Sequence, residues 1–405
     1  MKQSRIWIWQ RPKWPSFSWD VDAISPLLRA CTRTQGQLLG MIGASGTDAN
    51  VERELDALLQ NVITSSAIEG EQLNVGSVRS SLAKRLGLDC DERVTARSEG
   101  LAELMLDAIQ QHDAPLTFER LMHWHRLLLP EPSGLTAYPI RVGMLRRPEP
   151  MQVVSGRIDR PVVHFEAPAR EGLEQKLDGF FYWFNSSRAD PTLDPLIRAG
   201  IAHLWLVTLH PFDDGNGRLA RVITDLAMAQ GEHQAIRFYA MSASILFRRQ
   251  DYYRILERTQ RGELNITEWL VWFLQTLLHT LELAIQRIER VLAKAGFWQA
   301  HRDDGLSPEQ TKVLNRLLNG DLLSEKPDAG FTGGISAAQY QAVAKVSKPP
   351  PPGIFMTLWK KAAYSNSRAE GAARAIKSTG LRDRYSQRND CPVCLIDASP
   401  EALLI

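Results

Sequence analysis

The sequence predicts a mainly α-helical fold interrupted by one β-hairpin, and three observations carry that prediction. Segments 51–70, 93–129, 195–209, 218–229 and 266–295 read as helices, with apolar residues on one face. Pro and Gly gather instead between Pro130 and Pro168, where two short apolar runs flank Arg157–Arg160. At 405 residues the chain exceeds what one core usually holds, so two or three domains are expected.

Composition narrows the function classes. A hydrophobic fraction of 44% and an aromatic fraction of 8% suffice for a packed core. The net charge of +2 argues against both a nucleic-acid coat and an acidic sink. No apolar run is long enough to span a bilayer, and Met1–Gln10 is too short and polar for the apolar region of a signal peptide. Four cysteines in such a length do not make a disulfide framework. A soluble cytoplasmic protein with no membrane partner is the expectation.

In chain order, residues 1–20 hold Trp7, Trp9, Trp14 and Trp19 with two prolines, too irregular for a helix and too apolar to be loose. They read as a cap laid over helices that begin near Val21. In Val51–Gly70, the residues Leu55, Leu58, Leu59, Val62 and Ile63 form one stripe, and Gly70 is placed to end that helix. Residues 93–129 read as two helices, the second with Thr117 as its N-cap. His123 and His125, two apart, point to different faces and are expected in packing and solvent roles. Met151–Gly156 and Pro161–Glu166 form the hairpin. Helices resume over Ala169–Asn185 and Pro195–Leu209. The apolar surroundings Ala202, Leu204, Trp205, Leu206 and Val207 predict a buried central helix that delivers His210 rigidly, with His203 as a packing residue. A polar helix over Arg248–Gln260 and a long one over Ile266–Ala295 close the unit.

The chemistry concentrates in His210-Pro-Phe-Asp-Asp-Gly-Asn-Gly-Arg218 and the Leu219-Ala-Arg221 that follows. A turn with two glycines lets successive backbone N–H groups converge on one anion. A helix starting there adds its positive end and unpaired donors. Arg218 and Arg221, three apart, are neighbours on that helix and can fork onto phosphate oxygens or a carboxylate. Asp214 is a hard oxygen ligand suited to Mg²⁺. His210 titrates near neutrality and can take a proton from an attacking hydroxyl. Phe212 reads as the loop's anchor in the core.

This run resembles the signature HPFx[D/E]GNGRxxR of the Fic family, with every specified position filled. The resemblance implies transfer of AMP from ATP to a protein hydroxyl, with ATP as co-substrate and Mg²⁺ (or Mn²⁺) as cofactor. His210 would be the base and Asp214 the metal ligand. Asp213 and the turn Gly215, Asn216 and Gly217 would line the anion site, and Arg218 and Arg221 would hold phosphate. Ser65 through Gly70 resembles the family's inhibitory motif [S/T]xxxE[G/N], so Ser65, Glu69 and Gly70 would deny Arg221 to the γ-phosphate. The hairpin would be the family's flap, placing Val153, Val154, Ser155 and Gly156 along the site and clamping a protein substrate by strand pairing. A plain surface hairpin is the alternative. Tyr252 and Tyr253 correspond to aromatic positions near the adenine, although core packing serves one of them equally well. Gln260 falls where some relatives carry asparagine.

Residues 306–348 begin like a winged helix, with a helix over Ser307–Leu318 and another over Ser336–Val346. The recognition helix should follow, yet the chain reads Pro349-Pro-Pro-Pro-Gly353, which cannot be helix interior. Codon degeneracy permits a one-nucleotide-shifted reading, ATATRDLYDLVEKG, that restores an amphipathic helix. Residues from Pro349 onward therefore read as an out-of-frame tail. That reading demotes Cys391-Pro-Val-Cys394, a CxxC with no second pair, and the proline run.

The expected organisation is a Trp-rich helical cap with the inhibitory helix (1–110), a Fic core (111–295), a partial winged helix (296–348) and the tail (349–405). The expected function is a protein adenylyltransferase autoinhibited by Glu69, with self-modification and a homodimer among its partners and DNA binding disfavoured by this C-terminus. The rivals are a Fic enzyme of other specificity and a nucleotide-sensing DNA-binding regulator.

Overall fold

The computed structural model describes residues 6–43, 47–89, 93–129, 140–157, 160–233, 238–302, 304–319 and 337–345. The chain divides into two units, one comprising Met1–Glu282 and the other beginning at Leu283.

In the first unit the helices are α1 (Val21–Gly43), α2 (Thr47–Ile68), α3 (Val75–Arg85), α4 (Ala96–Gln110) and α5 (Phe118–Leu128). An antiparallel pair follows, β1 (Gln152–Arg157) and β2 (Arg160–Glu166). Then come α6 (Leu173–Ser186), α7 (Pro195–Leu209), α8 (Asn216–Glu232), α9 (Met241–Phe247), α10 (Arg249–Gln260) and the start of α11 (Thr267–Ala300). Among the described residues the fold is mainly helical with one hairpin, the class that the sequence predicts.

The core is built on α7. Every residue from Leu196 to Leu209 is buried, which an all-round apolar helix requires. Asp194 starts α7 by accepting the Leu196 N–H at 2.8 Å, with Pro195 at the first position, where its missing N–H costs nothing. Gly200 lets α11 approach closely: the Trp269 indole donates to its carbonyl at 2.9 Å, and a Cβ there would meet Leu270 at 2.9 Å. Alongside α7 lies α8, buried from Arg218 through Gln230. Packed on α8 are α2 and α4, and this contact brings the end of α2 to the start of α8.

Thr117 caps α5 as expected, accepting the Arg120 N–H at 3.2 Å. The Trp-rich segment is an irregular cap: Trp7 meets Phe165 edge-on at 5.5 Å, and the Trp9 indole donates to the Glu166 carbonyl at 2.7 Å. Ser18 pairs with the strand-like stretch before α11, donating to Leu264 and accepting from Ile266. The cap thus holds the hairpin's base. In the hairpin, Val153 pairs with Phe165 and Ser155 with Val162, with an irregularity between Val153 and Val154.

In the second unit, α12 (Pro308–Asn319) and α13 (Ala337–Ala344) correspond to the two helices expected there. Ser307 and Gln310 form a reciprocal cap at the start of α12. Phe297, Val313, Leu314, Leu318 and Ala344 make the unit's core. The position expected for a recognition helix, the polyproline run and the tail from Pro349, including Cys391 and Cys394, lie outside the described residues.

Candidate functional site

The site grows from the junction between α7 and α8. His210 ends α7 in the left-handed region (φ 48°), and its N–H closes onto the Leu206 carbonyl at 3.1 Å. Pro211 then prevents another helical turn. The loop is closed by Asn216, whose amide accepts the Phe212 N–H at 2.9 Å and donates to the Phe212 carbonyl at 2.8 Å. Phe212 is fully buried and stacks on His125 at 4.0 Å, the anchoring role expected of it. Gly215, at φ 83°, turns the chain into α8, and a Cβ there would strike Leu128 at 2.8 Å. That position requires glycine on both counts.

His125 does more than pack. Its Nδ1 accepts the Gly143 N–H at 2.7 Å, which leaves Nε2 to donate to the Asp214 carbonyl at 3.1 Å. Burial holds its pKa down to about 4, so it stays neutral in this tautomer and buttresses the loop. His123 is half exposed beside Glu103, and His203 is buried between Thr224 and Tyr252. These two match the packing and solvent roles read from sequence.

His210 is half-buried, with its Nδ1 facing the Val207 carbonyl at 3.3 Å. That partner places the proton on Nδ1 and leaves the Nε2 lone pair available. Burial, seconded by the Arg146 charge, pushes its pKa down to about 4, so the imidazole is neutral and able to accept a proton at physiological pH. Arg146, almost fully buried, donates to the His210 carbonyl at 2.9 Å and also bonds the Pro168 carbonyl. It locks the strained backbone beneath the imidazole. The sequence offered no signal for this role beyond an arginine in a Gly- and Pro-rich stretch.

The two motif arginines are both buried and both ion-paired. Arg221 donates from Nε to the Ser65 hydroxyl at 2.8 Å, and from Nη2 to the Ser65 carbonyl at 2.9 Å and to Glu69 at 2.8 Å. Arg218 reaches Glu71 at 2.6 Å and Asp214 at 2.9 Å. Glu71 also takes Arg97 at 2.5 Å. Neither Glu71 nor Arg97 was singled out from the sequence. An acid directly after a helix-ending glycine, two positions from Glu69, was the available clue.

A Schellman turn ends α2: Gly70, at φ 82°, donates to the Ala67 carbonyl, and Glu71 donates to the Ser66 carbonyl. This turn aims both glutamates at α8. The Glu69 carboxylate lies directly over the Gly215–Gly217 turn, where a Cβ on Gly217 would collide with Glu69 Oε1. It lies beside the first turn of α8, and a helix N-terminus favours negative charge. Arg221 Nη1 and Arg218 Nε are buried there with no hydrogen-bond partner. Buried donors of this kind are costly to leave unmatched and mark a place for further acceptors.

Other residues named from sequence fall on the rim or behind the site. The Asp213 carboxylate is taken by the backbone amides of Arg141 and Arg147 at 3.2 and 3.3 Å; it braces the loop. Tyr252 is buried behind Arg221, its hydroxyl on His203. Tyr253 places its hydroxyl 3.2 Å from the Ile68 carbonyl and 3.3 Å from Glu69, so it supports the inhibitory turn. Gln260 is buried with its amide on Thr208 at 3.3 Å. Val153 packs on the cluster of Trp7 and Phe165, and Val154 is half-buried beside it. The Ser155 hydroxyl bonds His164 at 2.5 Å, and Gly156 is exposed at φ 89°. Phe165, on the other strand, lies 6.4 Å from the His210 ring, which brings the hairpin's base to the candidate general base.

Asp214 meets the requirement for a hard cation in part. One carboxylate oxygen accepts the Gly215 N–H at 2.6 Å and the other accepts Arg218, and the side chain is 31% exposed. No group of three or more His, Cys, Asp or Glu side chains converges on a metal position among the described residues. A single, partly exposed carboxylate suits Mg²⁺, which keeps waters and draws other ligands from phosphates.

Comparisons with known proteins identify a family domain in the chain. Residues 115–228 match the Fic/DOC family, and residues 7–88 match a domain of unknown function, DUF4172. The chain is 26% identical over 257 residues to protein adenylyltransferase fic-1 of Caenorhabditis elegans, covering 62% of this chain and 45% of that protein. It is 28% identical over 220 residues to protein adenylyltransferase Fic of Nematostella vectensis, covering 52% and 45%. The chain therefore spans less than half the length of these curated relatives. Among solved structures, a Fic family protein from Desulfovibrio desulfuricans G20 overlaps with TM-score 0.47 at 18% identity, covering 80% of this chain and 84% of that one. C. elegans Fic-1 (residues 134–508) overlaps with TM-score 0.47 at 22% identity, covering 68% and 76%.

Proposed function

The chain carries a Fic/DOC-family domain over residues 115–228, and from that premise we propose that it is a protein adenylyltransferase, transferring AMP from ATP to a protein hydroxyl, held inactive by Glu69. One observation supports the reading: the carboxylate of Glu69, in the turn that ends α2, pairs with buried Arg221 and lies against Gly217 in the first turn of α8.

The chemistry follows from the groups in place. The hydroxyl oxygen of a target Ser, Thr or Tyr attacks the α-phosphorus of ATP. The new O–P bond forms as the bond to the bridging α,β-oxygen breaks, pyrophosphate leaves, and the hydroxyl proton passes to His210 Nε2. Arg146 and the Val207 carbonyl keep that nitrogen oriented. The Gly215–Gly217 turn and α8 offer N–H donors to phosphate oxygens, and Arg218 and Arg221 neutralise the charge that develops on the leaving group. Most of the rate enhancement would come from such positioning and preorganised charge. Asp214 would hold Mg²⁺ or Mn²⁺, which when bound supplies Lewis-acid stabilisation of the phosphate oxygens.

The protein substrate would be held at the hairpin. Among the described residues the sheet has only two strands, so each offers an outer edge for an incoming backbone. With Phe165 beside His210, an added strand would carry its hydroxyl toward the base without its sequence being read closely.

Inhibition in this account is competition for one place. While Glu69 lies over Gly217, the γ-phosphate cannot reach Arg221, and ATP cannot align its α-phosphorus with an incoming hydroxyl. Incubation of the Glu69→Gly variant, in which the inhibitory carboxylate is removed, with ATP labelled at the α-phosphate tests the assignment. Label should appear on protein, and label at the γ-phosphate should not. Transfer of γ-label instead would replace adenylylation by phosphorylation.

A further inference from the structure

Around the phosphate cradle, three carboxylates face three arginines: Glu69 on Arg221, Glu71 on Arg218 and Arg97, and Asp214 on Arg218. In this state the cluster carries no net charge, so a triphosphate entering it gains little from long-range attraction. Asp214 belongs to the motif loop and Glu69 to the inhibitory turn. Glu71 belongs to neither recognised motif, yet its contact is the shortest made by either motif arginine, 2.6 Å to Arg218 Nη1.

We infer that Glu71 is a positioning residue that acts through Arg218, holding it in an ion-paired state unavailable to nucleotide as Glu69 holds Arg221. This rests on the reading of the cradle as a nucleotide phosphate site. The Schellman turn places Glu69 and Glu71 on either side of Gly70, so one rearrangement of the end of α2 withdraws both acids. Arg97, on α4, gives Glu71 somewhere to go. It bonds the same carboxylate through Nε and Nη2 at 3.1 and 2.5 Å, and its Nη1 is buried without a partner. When Glu71 settles wholly on Arg97, Arg218 is freed beside its own unmatched Nε. Arg97 holds Oε1 and Arg218 holds Oε2 of one bridging carboxylate, and how far Glu71 leans to either arginine sets how open the phosphate site is.

Opposite signs from two substitutions distinguish this from a structural role. Equilibrium dialysis with Mg-ATP measures affinity for the parent, Glu71→Gln, Arg97→Gln and each of these combined with Glu69→Gly. Glu71 is 31% exposed, and glutamine keeps its shape, so folding should survive; thermal midpoints verify it. Glu71→Gln should tighten ATP binding by roughly threefold to tenfold in both backgrounds, as expected for removing one charge at a partly solvated pair. Arg97→Gln, which leaves Glu71 to Arg218 alone, should weaken it. Weaker binding in Glu71→Gln with Glu69→Gly would mean that Glu71 preorganises Arg218 for nucleotide, and would overturn the inference, as would unchanged affinity in both single variants. Absence of ATP binding in every protein, Glu69→Gly included, would instead remove the nucleotide reading itself.

Discussion

Arg221 and Glu69 meet at 2.8 Å across the gap between the end of α2 and the second turn of α8, with Arg221 97% shielded from solvent. The contact is reinforced from both sides. Ser65 accepts from the same guanidinium through its hydroxyl and its carbonyl, and the Tyr253 hydroxyl approaches the other carboxylate oxygen at 3.3 Å. Breaking a pair held this way costs more than breaking a surface salt bridge, since removal of one partner leaves a buried charge unmatched unless another anion replaces it. A nucleotide phosphate is such an anion.

The base is tested by His210→Ala in the Glu69→Gly background. Loss of general-base assistance should lower label transfer by about 10²–10⁴-fold, with ATP affinity nearly unchanged because the imidazole faces the hydroxyl and not the phosphate charge. Single-turnover transfer and dialysis measure the two separately. Undiminished transfer would exclude His210 as the base.

Gly70 is the hinge of the inhibitory turn. Its φ of 82° suits glycine, and a Cβ there meets nothing within 4 Å, so Gly70→Ala isolates backbone strain from crowding. The left-handed conformation costs an L-residue about 1–2 kcal/mol, and relief of that strain should loosen Glu69 and Glu71 together. A lower thermal midpoint with raised self-modification is expected. A variant equal to the parent in both would show that the turn does not govern the site.

Acid should destabilise the protein well above the usual carboxylate range. Burial holds His125 and His210 at about 4 and His203 at about 3, against an ordinary 6.5. The unfolded chain therefore binds protons first as pH falls below 6.5, and stability present above that value is lost progressively toward pH 4. Glu54 works in the opposite sense: burial raises it to about 7 from 4.5, so its contribution declines as pH rises between those values. Burial also raises Glu289, and three histidines against these two carboxyls leave a net loss on acidification. Urea midpoints at pH 7.5 and 4.5 measure it, and a flat or rising profile would contradict the burial assigned to these groups.

Much of this was legible in sequence because the local rules agree with the fold. The apolar run ending at Leu209, the cap Thr117, and the Pro- and Gly-rich break before the hairpin each dictate local structure that packing then keeps. The twelve residues from His210 to Arg221 announce their chemistry because a phosphate cradle needs glycines, a helix start and arginines close together in the chain. Glu71, Arg97, Arg146 and the buttress at His125 were not legible. Each acts across a long sequence separation, 147 residues for Glu71 and Arg218 and 89 for His125 and Asp214, and an isolated charged residue carries no local pattern that names its partner. Tyr252 and Tyr253 show the limit from the other side: adjacent on α10, one is buried on His203 and the other reaches the inhibitory turn, a difference decided by packing.

The central claim is that Glu69 occupies the place of the γ-phosphate, and one comparison tests it most directly: transfer of α-phosphate label from ATP to protein by the parent and by Glu69→Gly. A charge-assisted contact contributes about 1.5–3 kcal/mol, so Glu69→Gly should label itself roughly tenfold or more faster. Equal rates in the two proteins would mean that the pair with Arg221 is only a joint between helices, and the account would fail.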